Sequence, residues 1–140
     1  VCITPAAGYV GPMSALIMGL AVSPVCYWFV TVAKAKLGYD DSLDAFGIHG
    51  IGGTVGAVLT GVFCNRDYNA AGANGLVMGE WNQLASQLIA VAVTWAFAFS
   101  VTAIVVKLLD VTVGIRARPE DEDAGLDLSQ HGEVGYNLAG

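Results

Sequence analysis

Three long stretches of this chain carry almost no charge, and they constrain its fold more than any other feature. The first has no Asp, Glu, Lys or Arg, the second has His49 as its one ionisable side chain after its first residue, and the third runs for 23 residues before its first charge. About 20 helical residues cross a hydrocarbon core of about 30 Å. The sequence therefore predicts an all-α, polytopic membrane helix bundle with spans at about 13–33, 44–63 and 84–113.

The composition agrees with a membrane protein that carries a polar tail. Hydrophobic residues make up 55% of the chain and charged residues 13%, against about 25% charged in an average soluble domain. Six of the twelve acidic residues lie in the last 25 positions. We therefore divide the chain into a transmembrane part, 1–115, and a tail, 116–140. The sequence has no basic patch, which argues against nucleic acid as a partner.

The basic residues predict the orientation of the spans. Lysines and arginines flank the first connection and follow the third span, whereas the loop between the second and third spans has only Arg66. The positive-inside rule places the first connection and the tail in the cytoplasm. The protein is thus expected in a plasma or bacterial inner membrane. Because the chain starts at Val1 and not at methionine, we interpret it as the C-terminal piece of a longer protein.

The second span has an unusual distribution of side-chain size. Its six glycines cost about 5 kcal/mol relative to alanine, which close packing between helices can offset. At 100° per residue, the bulky residues fall on one stripe and the small ones on the opposite face. We expect that small face to lie inside a helix bundle, with His49 on it; its residues are Ala45, His49, Gly52, Gly53, Gly56 and Thr60.

His49 is the most conspicuous candidate for a function, since ionisable residues within a membrane are costly and usually functional. A neutral imidazole both donates and accepts a hydrogen bond, so His49 is able to hold a small polar solute or to pass a proton. A bis-histidine haem site is disfavoured because the other histidine, His131, lies in the polar tail. Metal binding is disfavoured because no ligand type stands three or four residues after His49. We predict no cofactor, and Asp44 is expected to cap the helix that carries His49.

The acidic tail leaves two interpretations open. Pro119 suits the first position of a helix, with acidic residues in its first turn and Gly125 at its end. A disordered tail and a short helix followed by a docked segment are equally compatible with these signals.

Five segments of the sequence resemble the Amt/Mep/Rh ammonium transporter family, and they occur in the order found in that family. The resemblance implies an all-α protomer of eleven spans in a homotrimer, with this chain forming the last three spans and the cytoplasmic tail. The segments are Ile3–Val10 (ITPAAGYV), Asp44–Gly50 (DAFGIHG), Asp110–Arg116 (DVTVGIR), Gly125–Asp127 (GLD) and His131–Tyr136 (HGEVGY).

This resemblance implies roles for individual residues. His49 matches the second of two pore histidines, and Ala45 and Ile48 beside it are expected to line a path for ammonium or ammonia. Ala45 stands where the family usually has valine or isoleucine. The resemblance also implies a tail that packs on the cytoplasmic face, regulates the protomers and is reached by PII-type signalling proteins. The residues that match tail docking are Asp110, Arg116, Gly125, Leu126 and Asp127.

Three other functions remain as alternatives. An Rh-like passive channel for ammonia or carbon dioxide would share the fold and the pore histidine. A membrane sensor of ammonium would need an attached signalling domain, and a haem-bearing membrane anchor would show an absorption spectrum. None of these is an enzyme, and the transporter interpretation likewise predicts no enzymatic activity.

Overall fold

The computed structural model describes residues 1–135. It has three long helices, α1 (Pro12–Leu37), α2 (Phe46–Phe63) and α3 (Asn82–Thr112), each long and apolar enough to cross a membrane. A six-residue helix, α4 (Pro119–Ala124), follows them. Among the described residues there is no β-strand. The prediction of an all-α chain with three candidate membrane spans is confirmed.

Helix α1 is longer than the sequence predicted. It begins at Pro12, whose missing N–H costs nothing at the first helical position. It ends where Gly38 takes a left-handed conformation, with φ 64°. We predicted an end at residue 33, before the first lysine. The helix instead continues through Lys34 and Lys36, because both are good helix formers and both lie favourably at the negative end of the helix dipole.

The chain divides into two compact units, Val1–Ala96 and Phe97–Gly140. In the first unit, the segment before α1 folds back against α1 and α2. Its short 3-10 turn, Thr4–Ala6, buries Ala6 completely. The core of the unit has three buried residues, Cys2, Ala6 and Met18. Partly buried apolar side chains pack against them, namely Val10, Val22, Leu59 and Phe63.

Glycines bring α2 into close contact with its neighbours, as the sequence predicted for this helix. A Cβ atom at Gly56 would overlap the backbone of Cys2, and one at Gly61 would lie 2.7 Å from Cα of Leu84. Both separations are too short for any residue other than glycine at these two positions. The glycines of α2 therefore allow backbone-to-backbone packing that a helix of larger residues could not reach.

Helix α3 has 31 residues, which corresponds to about 46 Å at 1.5 Å per residue. This exceeds a hydrocarbon core of about 30 Å, so the helix must tilt or extend beyond the bilayer. Apolar side chains along it, such as Phe97 and Ile104, are about two-thirds exposed. In a membrane, such a surface faces lipid or other apolar helices.

The second unit contains the tail, which forms the short helix that the sequence left as one of two alternatives. Pro119 holds the first position of α4, the first turn carries three acidic residues, and Gly125 ends the helix with φ 88°. A π-helical turn, Asp127–His131, follows. The last residue of the HGEVGY segment, Tyr136, lies outside the described residues.

The close approach at Gly56 leads to a first prediction. Gly56→Ala should lower the free energy of unfolding by about 1–3 kcal/mol, since overpacking forces the backbone of Cys2 to move. Gly53→Ala is the matched control on the same helix, because its nearest neighbour would be a Val1 methyl group at 3.8 Å. Thermal unfolding of the complete protein in detergent measures both. Equal melting temperatures for the two variants would contradict the packing argument.

Candidate functional site

His49 lies in a π-helical turn, Phe46–Ile51, at the start of α2. Its side chain is exposed, as are those of Ala45 and Ile48. We predicted that Ala45 and His49 would share a buried face with Gly52 and Gly56. The two glycines are buried as expected, whereas Ala45 and His49 are exposed within the described residues. A π-helical turn takes more residues than an α-helical turn, so it shifts the phase of the side chains that precede it.

The start of α2 is capped by Asp41 and not by Asp44, which corrects the sequence prediction. The two carboxylate oxygens of Asp41 accept hydrogen bonds from the N–H groups of Ala45, at 2.9 Å, and Phe46, at 3.0 Å. These are donors that an N-terminal helical turn leaves without partners. The side chain of Asp44 is engaged elsewhere, while its carbonyl oxygen accepts from the N–H of Ile48.

Asp44 forms an ion pair with Lys34 across the connection between α1 and α2. The Lys34 Nζ atom donates to Asp44 Oδ1 at 2.7 Å and to the carbonyl oxygen of Asp41 at 2.6 Å. Asp44 has φ 55°, the one positive φ outside glycine among the described residues. Lys34 thus joins the end of α1 to the residues that begin α2.

The π-helical turn of α2 packs against a second π-helical stretch, Phe29–Ala33, within α1. The contact depends on Gly47, which is buried. A Cβ atom there would lie 2.8 Å from Cγ2 of Val30 and 3.7 Å from Cβ of Phe29. Only glycine leaves room for Val30, so this face of the turn is held directly against α1.

Another face of the turn is held by aromatic rings. The Phe46 ring meets the Tyr39 ring edge-on at a centroid distance of 5.5 Å and the Trp95 ring edge-on at 5.9 Å. Edge-to-face pairs of this kind contribute about 0.5–1.5 kcal/mol beyond the area they bury. Trp95 belongs to α3, so Phe46 connects the turn to the third helix within the first unit.

Trp95 makes a second connection to the same turn. Its Nε1–H donates to Oγ1 of Thr54 at 2.9 Å, and Thr54 Oγ1 donates to the carbonyl oxygen of Gly50 at 2.7 Å. Gly50 is the residue after His49. The turn that carries the imidazole is thus fixed by α1, by Asp41 and by α3, while His49 itself projects from a surface that none of these contacts covers.

A cavity of about 430 Å³ lies at the other end of α2, and His49 does not line it. Thr60 and Cys64 contribute to its wall, together with Tyr9, Gln83 and Gln87. Burial raises the pKa of the Cys64 thiol, which keeps this side chain neutral and weakly polar. Within residues 1–135, no group of three or more His, Cys, Asp and Glu side chains is arranged to hold a metal ion.

The candidate regulatory residues lie in the second unit. Asp110 is in the last turn of α3 and is exposed. Arg116 makes two hydrogen bonds to the carboxylate of Glu122, both at 2.9 Å. Gly125 ends α4, the exposed Leu126 follows it, and Asp127 begins the π-helical turn. The structure thus orders this segment around its own ion pairs and turns.

The sequence profile of the Ammonium Transporter Family matches residues 1–136 of this chain. The chain belongs to the ammonium transporter family. Together with its three helices that are apolar and long enough to span a bilayer, this membership indicates a multi-pass membrane protein. The relatives are named as ammonium transporters.

Individual relatives and a solved structure agree with this assignment. The chain is 47% identical to the ammonium transporter of Bacillus subtilis over 136 residues, which are 97% of this chain and 34% of that protein. It is 48% identical to the ammonium transporter Amt1 of Archaeoglobus fulgidus over 134 residues, which are 96% of this chain and 34% of Amt1. The crystal structure of Saccharomyces cerevisiae Mep2 superposes with a TM-score of 0.78 at 33% identity, covering 85% of this chain and 28% of Mep2. The chain therefore spans about a third of the length of its curated relatives.

The sequence prediction missed three side chains that shape the site, those of Asp41, Thr54 and Trp95. Asp41 competes with several polar neighbours in the same short connection, so spacing alone did not identify it. Thr54 and Trp95 left a signal that could have been used. An indole N–H within an apolar span needs an acceptor, and α2 has only two hydroxyl side chains, Thr54 and Thr60.

Asp41 leads to a prediction about the start of α2. Asp41→Ala should destabilise the first turn by about 1 kcal/mol, since the N–H groups of Ala45 and Phe46 lose their acceptors. Hydrogen exchange of these two amides should then be about fivefold faster. Asp41→Asn keeps one carbonyl oxygen as an acceptor and should show a smaller change. Unaltered exchange in Asp41→Ala would show that the cap contributes nothing.

Proposed function

We propose that this chain forms the last three spans and the cytoplasmic tail of an ammonium transporter, and that His49 lines its conduction path. One observation carries the proposal above the others. The turn that bears His49 is fixed on its other faces by Gly47, Asp41 and Trp95, whereas the imidazole is exposed. A side chain that is exposed on a turn held in place suits contact with a passing solute.

The chemistry of the imidazole fits ammonium conduction. Moving a bare ammonium ion into a dry, apolar path costs several kcal/mol even after relaxation of the surroundings. Ammonia is neutral and avoids most of that cost. A neutral imidazole is able to accept a proton from ammonium and to hydrogen-bond ammonia. In the proposed mechanism the proton and ammonia cross separately, and a second histidine from another part of the transporter completes the relay.

The same chemistry accounts for selectivity against potassium. Potassium has no proton to give up, so an imidazole cannot convert it into a neutral species. The full cost of desolvating the ion then remains. Ala45 and Ile48, the neighbours of His49 on the exposed side of the turn, would line the path at this level and help to keep it apolar.

The tail is proposed to regulate the transporter from the cytoplasmic side. The distribution of Lys and Arg supports a cytoplasmic position for the connection between α1 and α2 and for the tail. The ordered elements α4 and Asp127–His131 offer a defined surface for docking. We propose that Asp110, Arg116, Gly125, Leu126 and Asp127 serve this docking in a homotrimer and that a PII-type signalling protein binds the same side.

The role of His49 is tested in the complete transporter, reconstituted in proteoliposomes on a solid-supported membrane. Native protein should give a current after an ammonium jump and none after a potassium jump. His49→Ala should lose this selectivity, whereas His131→Ala should keep it whatever its current. An ammonia-driven pH change without any current in the native protein would instead indicate a passive channel. Retained selectivity in His49→Ala would refute the relay.

The role of the tail is tested by removing Gly125–Gly140. We expect a lower or uncoupled ammonium current, because the docked segment would be lost while the spans remain. The comparison requires equal amounts of protein at the membrane surface. Unchanged transport at equal surface expression would count against docking.

A further inference from the structure

We infer that Trp95 and Thr54 are positioning residues that hold the π-helical turn Phe46–Ile51 and so set the orientation of the His49 imidazole. The inference rests on the proposed function of His49 and extends it to two side chains that do not touch the conduction path. It depends on hydrogen bonds and ring contacts within the first unit of the structure.

The hydrogen bonds form a chain that ends beside His49. Trp95 Nε1 is a donor only, and a threonine hydroxyl has one proton to donate and lone pairs to accept with. Thr54 accepts from Trp95 at 2.9 Å and donates to the carbonyl oxygen of Gly50 at 2.7 Å. Each group therefore has its required partner, and the geometry fixes the direction of both bonds.

Trp95 contacts the turn at two points that lie on either side of His49. At the first point its ring packs against Phe46, at 5.9 Å between centroids and an interplanar angle of 86°. At the second point its indole reaches Gly50 through Thr54. A single side chain of α3 thus constrains both the beginning and the end of the turn.

A π-helical turn is rarely stable by itself, and conversion to α-helical geometry would rotate His49 relative to the rest of α2. The contacts of Trp95 oppose that rotation. In an apolar span, breaking the bond also removes the hydroxyl acceptor of the indole N–H, whereas the Thr54 hydroxyl still donates to Gly50.

The same helix contains a matched control. Thr60 also donates to the carbonyl four residues before it, Gly56, at 2.8 Å, and it is only 4% exposed. Thr60→Val removes a similar bond at a similar or greater cost in stability, but at a distance from the π-helical turn. A purely structural effect should therefore appear in both threonine variants.

The experiment measures ammonium-over-potassium selectivity and the pH profile of the current in the complete reconstituted transporter. Thr54→Val and Trp95→Phe should each lower selectivity about fivefold, the effect of one net hydrogen bond, and shift the pH profile. Thr54→Ser keeps the hydroxyl and should show the native selectivity and the native pH profile. The double variant Thr54→Val/Trp95→Phe should lose little more than the worse single variant, because both changes remove the same bond between Trp95 and Thr54.

The outcomes separate this inference from the proposed function. If His49→Ala abolishes selectivity while Thr54→Val behaves as Thr60→Val, the positioning role is overturned and the role of His49 stands. If Thr54→Ser fails to restore selectivity, the hydrogen bond is not the cause and the inference also fails. If His49→Ala itself keeps native selectivity, the proposed function fails first, and the positioning role fails with it.

Discussion

The close approach of α2 to the backbones around it is the constraint on which the rest of the first unit depends. Gly56 lies against Cys2, and Gly61 against Leu84. Without side chains at these positions, the segment before α1 and the start of α3 reach α2 directly. That proximity also places Trp95 within hydrogen-bonding distance of Thr54. Dispersion contacts between small residues, and not a hydrophobic driving force, hold such helices together in lipid.

Much of this fold was predictable because charge and hydropathy act over whole spans. The three long helices and the small residues of α2 followed from local patterns in the sequence, whereas the short helix at Pro119 was one of two alternatives that those patterns left open. The exact end of α1 did not, since lysines serve equally well as the last turn of a helix and as the start of a loop. The left-handed conformation of Gly38, with φ 64°, ends the helix.

The candidate site was less predictable, for a reason that concerns helix geometry. His49 was identified from the sequence, and the family it indicated was confirmed by the comparisons. The helical wheel that grouped His49 with the glycines of α2 assumed 100° per residue through a turn that is π-helical, and His49 is exposed while Gly52 and Gly56 are buried. Contacts between residues far apart in the sequence could not be predicted either. Trp95 and Thr54 are 41 residues apart, and no periodicity joins them. The roles of the tail residues stay predictions.

The fixed direction of the hydrogen bonds from Trp95 through Thr54 to Gly50 limits where a proton can move. An indole nitrogen holds its proton firmly and cannot accept another. A proton that reached the hydrogen bonds between Gly50, Thr54 and Trp95 would therefore find no acceptor at the indole of Trp95. In the proposed relay, a proton held by His49 would therefore have no route through these hydrogen bonds into α3. The groups that fix the turn would then also confine the proton.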